Sequence, residues 1–97
     1  MTAEEFRATL SLDEAPNSLS LALQSLWWME NGDWTRAHGL VDDANGADEC
    51  WVHAHLHRVE GDLANAGYWY RRAGRPAATP PLEAERAQII ATLLADR

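Results

Sequence analysis

The chain has 97 residues, 46% of them hydrophobic, with five tryptophans and a formal net charge of −7. That length suits one domain with one modest core, and that apolar content argues against a disordered tail. The acidic balance speaks against general binding to nucleic acid or to an anionic membrane, because both recruit basic surfaces.

A lone cysteine, Cys50, allows no internal disulfide and fits a reducing cytoplasm. Glu4 and Glu5 stand near the N-terminus with no apolar run after them, which is unlike a signal peptide. No stretch approaches the roughly 18 apolar residues of a membrane span. The expectation is a cytoplasmic protein of one all-α domain over 1–97.

In chain order, Thr2 followed by Glu5 has the pattern of a capping box, and Phe6 and Leu10 share the helical face behind it. A first helix over about 3–10 follows, then a linker at Asp13-Glu14-Ala15-Pro16. Asn17 or Ser18 can cap the second helix, about 18–31. Its stripe is Leu19, Leu23, Leu26 and Trp27, widened by Ala22 and Met29. Trp28 falls off that stripe and is expected to pack on neighbouring chain, because tryptophan is usually largely buried.

The third helix, about 34–44, turns Trp34, Ala37, Leu40, Val41 and Ala44 inward. Gly39 within it suggests close backbone approach. Asp42 and Asp43 stand near its C-terminus, where acids oppose the helix dipole, so that turn is strained or neutralised by a partner. Asp48 is the expected cap of a fourth helix, about 49–60. The fifth, about 63–74, turns Leu63, Ala66, Tyr70 and Ala73 inward and ends at Gly74. A rigid linker runs from Pro76 to Pro81. Thr79-Pro80 has the form of cap and first-turn proline for a last helix over about 80–96. The broad apolar face of that helix suits it to cover the end of a stack.

One phrase occurs twice, 29 positions apart: Gly32-Asp33-Trp34-Thr35-Arg36-Ala37 and Gly61-Asp62-Leu63-Ala64-Asn65-Ala66, each with another alanine seven residues on, Ala44 and Ala73. Glycine supplies the left-handed residue that ends one helix, and aspartate accepts the free N–H groups that open the next. Residues 18–44 and 48–74 are therefore two helical hairpins. In this phrase the chain resembles tetratricopeptide-like (TPR-like) repeats, although Leu63 stands where an aromatic is usual and the spacing is shorter than the 34 of that family. It also resembles small uncharacterised bacterial proteins. The resemblance implies antiparallel hairpins stacked as a short right-handed solenoid of about six helices, and it implies no activity.

Two clusters carry candidate chemistry. On the fourth helix, His53, His57 and Glu60 fall within about 60° of one another at roughly 100° per residue, while His55 points away toward Trp51. Imidazoles one turn apart suit a borderline metal such as zinc, with Glu60 as a third ligand and His38 from the preceding helix as a fourth. The segment is not His-Glu-x-x-His, because Ala54 holds the glutamate position. The plainer alternative is structural or pH-responsive histidines, with stability changing between about pH 7 and 5; a small-ligand site is another.

The second cluster is Tyr68, Trp69, Arg71 and Arg72, with His57, Glu60 and Asn65 across the same Gly61-Asp62 turn. Aromatic rings beside guanidinium forks suit a carboxylate, a phosphate or an acidic peptide. The alternative is that the rings pack between helices and the arginines pair with the chain's own acids. Taken together, the residues point first to a module binding a protein or peptide through the second hairpin, or self-associating. The second possibility is a small metal- or ligand-binding protein or enzyme. No cofactor other than such a metal is implied.

Overall fold

Both Gly-Asp junctions close in the same way. In the computed structural model, which describes residues 1–96, Gly32 and Gly61 have φ of 81° and 88°. The Asp33 N–H donates to the Trp28 carbonyl and the Gly32 N–H to Met29. One repeat later, Asp62 donates to His57 and Gly61 to Arg58. That is a Schellman closure, in which a left-handed residue lets two N–H groups reach the last carbonyls. The two aspartates then cap the following helices, accepting from Arg36 N at 3.0 Å and from Asn65 N at 3.1 Å. Gly74 ends a third helix by the same closure.

Among the described residues there are six α-helices and no strand: α1 (Ala3–Ala8), α2 (Leu21–Glu30), α3 (Trp34–Val41), α4 (Ala47–Val59), α5 (Leu63–Ala73) and α6 (Leu82–Ala95), with a 3₁₀ turn at Thr9–Ser11. α2 packs on α3 and α4 on α5 as the two hairpins, and α4 also meets α2, α3 and α6. The extents are 33 × 25 × 25 Å, a compact globule. The core joins Phe6, Leu23, Leu26, Trp27, Val52, Leu56, Ile89 and Leu93.

Several helix ends differ from the sequence expectation, each for a local reason. Leu19 is buried in a turn, its N–H bonded to Pro16 O, so Ser20 caps α2 and not Asn17 or Ser18. α3 stops at Val41, before the two aspartates, and Ala44 lies outside it. Gly46 takes the position before α4, which leaves Asp48 and Glu49 in its first turn, where they suit the dipole. α6 starts at Leu82 because Pro80 precedes Pro81 and is steered out of helical conformation. Leu63, expected inside, is 68% exposed; it sits beside the cap, level with the turn, where α4 has already ended. Trp28 does pack, edge-on to Trp27, with the Arg36 guanidinium 4.1 Å above its ring.

α6 does not simply close the end of a stack. It lies against α4 and α2, the first helices of both hairpins, and α1 packs on it in turn. What holds it is polar as well as apolar. Glu85 of α6 is buried and accepts from His55 Nδ1 at 2.6 Å, from Arg58 Nη1 at 3.0 Å and from the Tyr70 hydroxyl. Arg58 also donates to the Pro80 carbonyl, and Arg86 pairs with Glu30. Burial raises the Glu85 carboxyl, but the hydrogen bonds from His55 and Tyr70 and the charges around it outweigh that, and the net shift is downward. Burial, then the bond to Glu85, pushes the Tyr70 phenol up. The buried charge is tolerated because it is fully hydrogen-bonded.

The glycines give opposite expectations. Gly39 was expected to permit a close approach, yet it is exposed and an added Cβ would meet nothing within 4 Å. Gly39→Ala should therefore stabilise by up to about 1 kcal/mol through helix propensity. Gly61→Ala, in open space but at positive φ, should destabilise by about 1–2 kcal/mol. Urea unfolding of the two variants distinguishes them, and effects of equal sign would contradict this account of the junctions.

Candidate metal centre

α4 is buried on all sides, from Cys50 through His57. Its histidines alternate between two neighbourhoods. His55 faces α6 and Glu85, as described. His53 and His57 are one turn apart and face α3 and α5. There His38 comes across from the last turns of α3. The His38, His53 and His57 rings each offer a nitrogen, and the three nitrogens lie within 4.8 Å of one another. His38 Nε2 and His53 Nε2 are 3.1 Å apart.

Two indoles fix the rings. Trp34 stacks on His38 with centroids 4.7 Å apart and 9° between planes, and its own N–H donates to Leu56 O at 2.7 Å. Trp69 stacks on His53 at 3.9 Å and 16°. Glu60 does not face the point where the three imidazoles meet. Its Oε1 takes the Nδ1 hydrogen of His57 at 2.6 Å, while Asn65 Nδ2 approaches His57 Nε2 at 3.4 Å. A carboxylate on Nδ1 fixes the tautomer and makes Nε2 an acceptor, the atom toward which the Asn65 amide is directed. Asp42 Oδ1 stands 3.7 Å from His38 Nε2.

His53 is the exposed-edge-free member, 1% accessible, and its Nδ1 is buried without a hydrogen-bond partner. Burial, then the neighbouring His57 and His38, pull its pKa down to about 4; the Asp42 carboxylate and the Val41 carbonyl act the other way and are outweighed. The ring is thus neutral at pH 7, the state in which imidazole binds a metal.

Among the remaining sequence candidates, Arg72 stacks on Trp69 at 4.9 Å and bonds to Tyr68 Oη and Asn45 Oδ1, with Trp69 between it and His53. Tyr68 is exposed and edge-on to Trp69. Arg71 is exposed and lies near Gly67, away from the ring cluster. Neither Arg71 nor Arg72 pairs with a carboxylate among the described residues, against the alternative that they would meet the chain's own acids. Cys50 is buried and free. Trp34 and Asp42 were not among the site residues inferred from sequence: one was assigned to the core and the other noted only for its clash with the helix dipole. A cleft of about 250 Å³ between Trp51, Arg75, the Pro76–Pro80 linker, Glu85 and Gln88 shares no residue with the histidine cluster.

Comparisons with family models, with curated proteins and with solved structures find no match for the chain.

The depressed His53 pKa has a defined consequence for metal-free protein. Above about pH 6.5 the ring is neutral folded or unfolded, and the stability is fully present. As pH falls from 6.5 through about 4, the unfolded chain takes up a proton that the folded ring refuses, and on the order of 3 kcal/mol is lost. Chelator-treated wild type should lose thermal midpoint steadily between pH 6.5 and 5, before the carboxylates titrate, and His53→Gln should flatten that slope. Equal slopes in both proteins would remove His53 as the cause.

Proposed function

We propose that this chain is a small metal-binding protein, in which a scaffold of two TPR-like hairpins holds one divalent transition-metal ion on His38, His53 and His57. The observation that carries the reading is the convergence of three ring nitrogens within 4.8 Å at a partly buried point. Zn–N bonds of 2.0–2.1 Å at tetrahedral angles put ligand nitrogens about 3.3 Å apart. His38 and His53 already stand at 3.1 Å, and small ring rotations complete the third contact. Glu60 behind His57 supplies the outer-shell carboxylate that such ligands usually have. Imidazole donors suit Zn, Cu, Ni or Fe rather than Mg or Ca. The TPR-like stacking is part of the proposal; it is supported by the twice-used Gly-Asp closure and by the packing of α4 on both helices of the first hairpin.

Protein purified without an affinity tag and stripped with chelator should bind one zinc per chain in a calorimetric titration. At a free zinc concentration of 100 Kd, stability should rise by about 2.7 kcal/mol. His53→Ala and His57→Ala should abolish both effects, and absence of saturable binding to wild type would sink the reading.

A protein partner on α5 is the second reading, and it rests on the exposure of two large apolar side chains of that helix, Leu63 at 68% and Tyr68 at 46%. Leu63→Glu combined with Tyr68→Ala should then reduce recovery of bound protein in a pull-down without lowering the thermal midpoint. Unchanged recovery would dismiss this surface.

A further inference from the structure

Three histidines leave a four-coordinate ion one ligand short, and what fills that position decides whether the ion can activate water or is simply held. Three groups border the cluster. Glu60 is committed to His57 Nδ1 at 2.6 Å. Asn65 presents its amide nitrogen, a donor, toward His57 Nε2. Asp42 is different: one turn after His38 on the same helix, its Oδ1 is 3.7 Å from His38 Nε2, with no other hydrogen bond or ion pair.

The position of Asp42 is locally unfavourable for an acid. It occupies the C-cap of α3, where a negative charge meets the negative end of the helix dipole. Ser, Asn or Gly would be tolerated there at less cost. The nearest arginine on the helix, Arg36, is taken up with Glu14 and Trp28. His38 is the partner within ion-pair distance, and its ring is stacked on Trp34. A divalent ion between His38 and His53 would neutralise both the carboxylate and the helix terminus.

We infer that Asp42 is the fourth ligand, so that the ion is enclosed in a three-nitrogen, one-oxygen shell. In tetrahedral coordination an oxygen and a nitrogen ligand also lie about 3.3 Å apart. Asp42 Oδ1 stands 3.7 Å from His38 Nε2 but outside the group of nitrogens that lie within 4.8 Å of one another, so its side chain, 59% exposed, has to turn in toward His53 and His57 as well. With all four positions filled by the chain, no site remains for a nucleophilic water. The centre then holds or hands over an ion and does not catalyse hydrolysis. Loading would also tie the last turn of α3 to α4, linking metal occupancy to the order of the 42–46 loop.

The inference rests on the three-histidine reading, and cobalt(II) separates the two. Wild type titrated with Co²⁺ should develop the intense visible bands of a four-coordinate ion, and added azide should leave them unchanged. Asp42→Ala should bind Co²⁺ more weakly by at least about tenfold, the lower end of what even outer-shell losses cost, and its spectrum should become sensitive to azide. Asp42→Asn, which keeps the shape, should fall between. If wild type shows no cobalt spectrum, the metal reading itself fails and Asp42 with it. If wild type binds but its spectrum already shifts with azide, or Asp42→Ala binds as tightly, the fourth position belongs to solvent and only this inference is overturned.

Discussion

The structure depends on the enclosure of α4. Four other helices surround it, and eight consecutive residues on it are buried. A helix covered on every side is ordinarily apolar all round. This one carries three histidines in its middle, and each buried polar atom left without a partner costs about 1–3 kcal/mol. The neighbours therefore have to supply polar groups at particular heights along α4. α6 brings Glu85 to His55, α5 brings Asn65 to His57, and α3 brings His38 to His53. Apolar packing pulls the helices together, but these pairings fix how far each one slides along the central rod.

What was legible in the sequence follows from this arrangement. The two Gly-Asp junctions were readable because their chemistry is local: the left-handed residue and the capping carboxylate are adjacent in the chain. The sharing of one face by His53 and His57 was equally readable, since helical periodicity alone puts them together, and His38 was within reach once the hairpins were assumed. The Glu85 network was not readable. His55 and Glu85 are 30 residues apart, and no periodicity relates them; only the path of α6 back across α4 and α2 brings them within 2.6 Å. Glu60 does lie beside His57, and with Asp62 it forms a second group of potential ligands, but it meets the Nδ1 side of that ring rather than the three-histidine point. Angular position on a helix wheel gives the direction in which a side chain leaves the backbone, not which nitrogen of a neighbouring ring it meets. Helix ends fared worst, because they depend on competing caps such as Ser20 and Gly46 that a sequence offers in abundance.

The two polar groups on α4 are built on opposite plans. Around Glu85 every donor finds an acceptor. Arg86 can only donate, so it makes His55 Nε2 an acceptor and leaves the Nδ1 hydrogen for Glu85. Charges of both signs meet and cancel, and nothing is left to offer a ligand. The cluster on the other side does not close in this way. His38 and His53 can share only one hydrogen between two Nε2 atoms, His57 Nε2 receives only the long contact from Asn65, and His53 Nδ1 makes no hydrogen bond of ordinary geometry. Histidines kept purely for support would be expected to look like His55.

Charge placement then decides what sort of ligand the open cluster suits. The cations nearest to it are occupied or screened off: Arg58 is bound to Glu85 and the Pro80 carbonyl, and Arg72 sits beyond the Trp69 ring. The carboxylates are not. Glu60 and Asp42 flank the cluster, one at 2.6 Å from His57 and one at 3.7 Å from His38, in a chain whose net charge is −7. An anion placed among these rings would meet two negative groups and, at His53, an imidazole held neutral by burial. A cation would meet lone pairs and the same two negative groups at close range, where the low local dielectric strengthens the attraction. Of the aromatic and arginine residues of α5, Trp69 forms the wall behind His53 with Arg72 on its far side, and the acids in front set the polarity of the site.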